Sequence, residues 1–169
     1  TCSDLIRPTD NAVRVESASM IAPTPLAVAE RGPTPAARVT PANPEFCKVL
    51  GQIASSDPKA PPIKFQVNLP VEWNGRSLQY GGGGFNGVLI SGLALPPAFP
   101  FDTTSPLARG FVTYGTDSGH ETKPGEPPQL FPPNDEAFEN FAHRSYKRGR
   151  DAAVALMGLN IQTYHRLGE

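Results

Sequence analysis

The chain has 169 residues and a formal net charge of -1, with a pI near 6.3, enough length for about one domain with its own core. That balance excludes the strong positive field on which charge-driven nucleic-acid binding depends, and no run of about eighteen apolar residues is present to span a membrane. Twenty prolines, against an average use of about one residue in twenty, point to abundant irregular, loop-bound structure.

In chain order, Thr1-Cys2-Ser3-Asp4 shows no signal-peptide pattern and reads as a mature or trimmed start. Residues 1–46 read as a tethered, mostly irregular arm, in which Val13 and Val15 alternate with polar neighbours and mark one short strand. Cys2 and Cys47 bracket this Pro/Ala/Thr-rich segment. Two readings of the pair stand: separate buried thiols, or a disulfide. A bond closing a loop of that length would contribute roughly 4 kcal/mol in the chain-entropy model and would imply an oxidising, secreted or periplasmic compartment.

Residues 47–54 (CKVLGQIA) resemble a strand, and the turn signal Ser55-Ser56-Asp57-Pro58 follows. Over 63–70, apolar and polar residues alternate throughout, which predicts a strand with Ile63, Phe65, Val67 and Leu69 on its buried face. Trp73-Asn74-Gly75-Arg76 is a turn, and residues 76–80 form a strand that runs directly into glycines. The small-apolar stretch 88–95 (VLISGLAL) is read as the start of a helix that Pro96-Pro97 stops. Residues 110–117 (GFVTYGTD) are a largely apolar, β-branched strand, and a Pro-rich loop occupies 122–133.

Asn134 or Asp135 then caps a helix reaching to about Met157, with Asp135, Glu136 and Glu139 at its positive end. Phe138, Phe141, Tyr146, Ala152, Ala153 and Leu156 are expected to line one broad face. Arg144, Lys147, Arg148 and Arg150 form its solvated side. Strands followed by a helix, with short apolar runs and no internal repeat, indicate an α/β arrangement rather than a sandwich.

The most informative stretch is QYGGGGFNG, residues 79–87. Four successive glycines are costly, because each loses more backbone freedom on folding than any other residue. A linker should be flanked by small polar residues. This run instead follows a strand and precedes Phe85 and an apolar segment, so it belongs to a loop at a strand's C-terminal end, where α/β sheets place ligands. A phosphate loop needs Lys-Ser/Thr after the glycines, and Phe85-Asn86 supplies neither. Three readings remain: an oxyanion loop of the kind that follows the third strand of α/β-hydrolases, a structural tight turn, or another anion site.

Phe46-Cys47-Lys48-Val49, the strand 63–70, Trp73-Asn74-Gly75-Arg76, Gly81-Gly82-Gly83-Gly84-Phe85-Asn86-Gly87 and Thr116-Asp117-Ser118-Gly119-His120 together resemble the tannase and feruloyl esterase family, from about Cys47 to Leu156. The resemblance implies an α/β-hydrolase fold of which this chain is the N-terminal part. It would comprise a Pro-rich arm (1–46) and an incomplete catalytic domain (47–169) lacking the nucleophile elbow and the lid. It implies cleavage of esters of aromatic acids by a Ser-His-Asp triad. Gly81, beside Gly82, would match the family's oxyanion donor through its backbone N–H, and Cys2 and Cys47 would be paired. The triad, the lid and the lid's calcium site lie further on in the family, so the resemblance assigns no cofactor here. It implies instead an aromatic ester substrate and completion by a C-terminal portion or a second chain.

The departure from the family is at the end. Tyr164-His165-Arg166-Leu167-Gly168-Glu169 reaches the point where a Gly-Cys-Ser-x-Gly-Gly elbow is due, and no elbow serine is present. The chain is therefore not expected to hydrolyse esters alone, and its sheet should keep an open edge with Phe111 and Leu156 exposed. Asp117, Ser118 and His120 have the composition of a triad, but groups so close in sequence rarely converge as one. Asp117 and His120 are read as supports of the loop or pocket, and His143 and His165 carry no motif. A non-catalytic ligand-binding module on the same scaffold is the alternative function, and a structural subunit a weaker third.

Overall fold

The computed structural model describes residues 1–6, 12–28, 39–83, 86–95, 100, 103–122, 125, 127 and 134–167. Among the described residues, seven strands occur in chain order: β1 (Val13–Ile21), β2 (Ala27–Val28), β3 (Val39–Thr40), β4 (Phe46–Ile53), β5 (Ile63–Pro70), β6 (Ser77–Gln79) and β7 (Val112–Thr116). Five of them make one sheet in the order β1-β4-β5-β7-β6, and β2 pairs separately with β3. The sheet is antiparallel from β1 to β7, whereas β6 runs parallel to β7. Two parallel strands need a long crossover, and the glycine loop opens it.

The alternating pattern of β5 acts as expected: Ile63, Phe65, Val67 and Leu69 are buried in one cluster with Val49, Val112, Tyr114, Ala152, Ala153 and Leu156. Yet Gln66 and Asn68, on the other face, are buried too. The segment 88–95 lies against Asn68, and it is not the expected helix start. Gly92 has φ +69° and Gly87 φ +77°, conformations that a right-handed helix excludes. The segment is held instead by hydrogen bonds to the sheet: Ile90 N–H donates to Thr116 O at 3.3 Å, and Asn68 Nδ2 donates to Ser91 O at 2.7 Å. Gly115 lets Ile90 lie directly on β7, where any side chain would meet the Ile90 carbonyl.

The short strand expected at Val13 extends over nine residues, paired with β4 from Val13↔Ile53 to Ile21↔Phe46 and irregular between Val15 and Ser17. This part of the arm is thus a strand of the main sheet. A short 3-10 turn at Cys2–Leu5 precedes it, and a disulfide joins Cys2 to Cys47, Cα atoms 5.7 Å apart.

The helix is capped as read from sequence: Asn134 Oδ1 accepts from Ala137 N–H at 2.9 Å. It then departs from regularity. The α-helix α1 (Asp135–Glu139) passes into a π-helical turn (Asn140–Arg144) and then α2 (Ser145–Leu167). Buried positions step from Ala137 and Asn140 to Ser145, Gly149, Ala152, Ala153 and Leu156. The five-residue step across the π-turn shifts the buried face by one residue. Phe138 and Tyr146, expected in the core, are consequently 53% and 41% exposed. Leu156 is fully buried against the sheet rather than exposed, and Phe111 is half-buried. The edges of the sheet are β1 and β6, and on β6 Leu78 is 38% exposed. The basic run is solvated as expected, with Lys147 and Arg150 on Asp151 and Arg144 near Glu139. Arg148 departs from it, donating to Ala54 O at 3.3 Å.

Candidate active site

The C-terminal ends of the parallel pair β6 and β7 bring together the glycine loop and the turn Asp117-Ser118-Gly119-His120, which is the end where α/β sheets bind ligands. A cleft of about 560 Å³ lies at the other end, lined by Pro70, Trp73, Asn74 and Arg109 among others. It is remote from both motifs.

Gly81, Gly82 and Gly83 are exposed, and none has a positive φ. Among the described residues their N–H groups find no acceptor. The positive-φ positions of this loop fall later, at Asn86 (φ 54°) and Gly87 (φ 77°). What the glycines provide is room. A side-chain carbon at Gly81 would lie 2.7 Å from the Tyr146 hydroxyl oxygen, and one at Gly82 would collide with Asn86 Oδ1. Gly83 has nothing near it. Gly84 and Phe85 lie outside the described residues.

Asp117 is 1% exposed. Its Oδ1 accepts from Lys64 N–H at 3.0 Å and from Gly119 N–H at 2.8 Å, which ties the turn after β7 to the start of β5. Burial pushes its carboxyl up to about 6, a rise that those two N–H groups and Lys64 oppose. His120 is buried and meets the Phe141 ring edge-on, centroids 5.6 Å apart. Ser118, at φ 64°, has its hydroxyl oxygen engaged by Asn86 Nδ2 at 2.9 Å. The carboxylate and the hydroxyl of the sequence-adjacent trio are therefore committed to holding loops.

Two residues at this site carry no weight in the sequence reading. Asn86 had a usable signal, since Asn-Gly marks a left-handed turn. Tyr146 had none, because its approach to Gly81 depends on the one-residue shift of the π-turn. Its backbone carbonyl also accepts from Gln79 Nε2 at 2.9 Å, joining α2 to β6.

The family model described as tannase and feruloyl esterase matches residues 47–168. The chain belongs to that family. An uncharacterised esterase of Agrobacterium fabrum is 46% identical over 121 residues, covering 68% of this chain and 21% of the relative. Mono(2-hydroxyethyl) terephthalate hydrolase of Piscinibacter sakaiensis is 38% identical over 101 residues, covering 58% of this chain and 16% of that protein. Among solved structures, an esterase from Aspergillus oryzae superposes with a TM-score of 0.62 at 24% identity, over 94% of this chain and 30% of that one. Feruloyl esterase B from the same organism gives 0.61 at 21%, over 92% and 29%. The fold is thus an α/β mix that resembles a partial, N-terminal α/β-hydrolase-like fold, its N-terminus tethered by the Cys2–Cys47 disulfide. The chain spans about a fifth of the length of the curated relatives it matches. No described helix is long and apolar enough to cross a membrane. Among the described residues no group of three His, Cys, Asp or Glu is placed to hold a metal ion.

Proposed function

We propose that residues 1–169 form the N-terminal part of a secreted or periplasmic serine-type carboxylic ester hydrolase acting on esters of aromatic acids. The glycine loop supplies an oxyanion donor, the Gly81 N–H, to a Ser-His-Asp triad contributed by a C-terminal portion or a second chain. The reading rests on one observation above all: three exposed glycines without a positive φ and, among the described residues, with unengaged N–H groups, set at the C-terminal end of a parallel strand. None of the three takes the positive φ for which a turn would demand glycine. Glycine is called for if the backbone must approach a developing negative oxygen without a Cβ in the way. The disulfide supports the compartment. In this scheme the substrate's carbonyl oxygen gains charge as the serine adds, and preorganised N–H donors stabilise that charge more than the ground-state carbonyl.

A bulky substitution at Gly81 tests this poorly, because a valine would strike Tyr146 as well as any substrate. Replacing Gly81 by glycolic acid in the full-length protein, so that an ester oxygen stands where the N–H was, removes the donor alone. Since that N–H serves no acceptor within the described fold, melting temperature should stay unchanged. Turnover of an aromatic ester should fall roughly 10²–10³-fold, with KM altered much less. Unchanged turnover would remove the oxyanion assignment. Aromatic-ester binding without hydrolysis by the unmodified full-length protein would favour a ligand-binding module.

A further inference from the structure

The glycine loop and the Asp117-Ser118-Gly119-His120 turn are far apart in sequence, and one side chain joins them. Among the described residues, two that are not glycine adopt a positive φ: Asn86 at 54° and Ser118 at 64°. They are hydrogen-bonded to each other, Asn86 Nδ2 donating to Ser118 Oγ at 2.9 Å and more weakly to Thr116 O at 3.4 Å. A left-handed conformation is tolerated by Asn but strained for Ser, and such strain persists only where the surroundings over-determine it. Here the conformation occurs at both ends of one contact. The other end of the Asn86 amide, Oδ1, is buried with no hydrogen-bond partner among the described residues and pressed against Gly82, at the place a side chain there would occupy. Asn86 N–H closes the loop on Gly83 O at 3.0 Å. Beneath it the platform is fixed, because Asp117 binds both the turn and β5.

We propose that Asn86 is a positioning residue, clamping the glycine loop through Ser118 onto the end of β7 so that the Gly81–Gly83 backbone is held in place before substrate arrives. Its amide nitrogen grips the β7 turn, and its amide oxygen sets the height of Gly82. Ser118 is the other half of the clamp. Only the kinetic arm of this inference rests on the esterase reading, because the ordering of the loop is measurable without any activity.

Asn86→Gly and Ser118→Gly test it in the full-length protein. Glycine accepts both dihedrals without strain, so each variant removes the clamp while relieving the backbone. Each single variant should lower turnover about 10–10²-fold, the scale of a small misplacement of catalytic groups, with KM within about threefold. The double variant should be no slower than the worse single, because the two partners make one interaction. In glycine-labelled protein the amide order parameters of Gly81, Gly82 and Gly83 should drop below about 0.6. Normal turnover per folded molecule, or losses that add in the double variant, would overturn the clamp. If the parent protein has no esterase activity, the proposed function fails by itself. The order parameters then decide the clamp: a fall supports it, and unchanged values overturn it. Should Asn86→Gly not fold, Ser118→Ala carries the same measurements.

Discussion

Asp117 reverses the usual behaviour of a native carboxylate. Most are stabilised as ions, but burial raises this one from 3.8 to about 6. A raised folded-state value means that its contribution to stability is complete below about 4 and is lost as pH rises through about 6. The lost amount is on the order of 3 kcal/mol for a shift of that size. Glu136, which accepts from the Ser56 and Asp57 N–H groups, and Asp151, beside Lys147, are lowered instead. Their contributions are lost as pH falls through those lowered values, below the Asp117 window. Asp117→Asn keeps an acceptor oxygen for Lys64 and Gly119 and removes the charge. Denaturant titrations of parent and variant should therefore diverge in the variant's favour by about 2–3 kcal/mol between pH 4 and pH 7. A difference that does not change with pH would show that Asp117 is not desolvated in this way.

At the scale of the element, α2 is fitted to the sheet by one missing side chain. A carbon at Gly149 would lie 2.6 Å from the Thr116 methyl, on a buried, stiff β-branched residue. Gly149→Ala should gain about 1 kcal/mol in helix propensity and lose about 1–3 kcal/mol to overpacking, a net destabilisation. Gly158 in the same helix has nothing near it, and Gly158→Ala should stabilise by roughly 0.5–1 kcal/mol. Melting both variants checks the pair; equal shifts would mean that α2 does not press on β7 here. Neither Gly149 nor the π-turn before it is legible in sequence, because a 3.6-residue period carries no mark of a single inserted residue. Strands 63–70 and 110–117 were legible, being apolar where the sheet is covered. β1 was only half so, since an edge strand with Arg14, Glu16 and Ser17 lacks a continuous buried face. The 88–95 stretch misled because small apolar residues suit any covered segment, and Gly92 decides against a helix only once its φ is known. Of the candidate site, the glycine loop and the Asp117 turn were legible as motifs; the Asn86–Ser118 contact between them was not, since sequence distance hides it.

At the scale of the molecule, the Cys2–Cys47 disulfide bears on what anchors the first residues. Its partners are 45 residues apart in sequence, so removing it should cost roughly 4 kcal/mol in the chain-entropy model. An irregular arm tethered only by this bond would loosen as one piece on reduction, but the fold divides residues 1–46. β1 is paired along β4 from Val13 to Ile21 independently of the bond. The turn Cys2–Leu5, with Leu5 buried in the core cluster, relies on it more heavily. Cys2→Ser leaves the Cys47 thiol buried in β4, where a free cysteine behaves as a small apolar side chain. Hydrogen exchange on the full-length variant should lose protection over residues 1–6 while Val13–Ile21 keeps it, and the midpoint of global unfolding should fall. Protection lost across β1 as well would mean that the disulfide, not the pairing with β4, holds that strand to the sheet. Two free thiols on alkylation of the native protein would remove the bond, and with it the argument for an oxidising compartment.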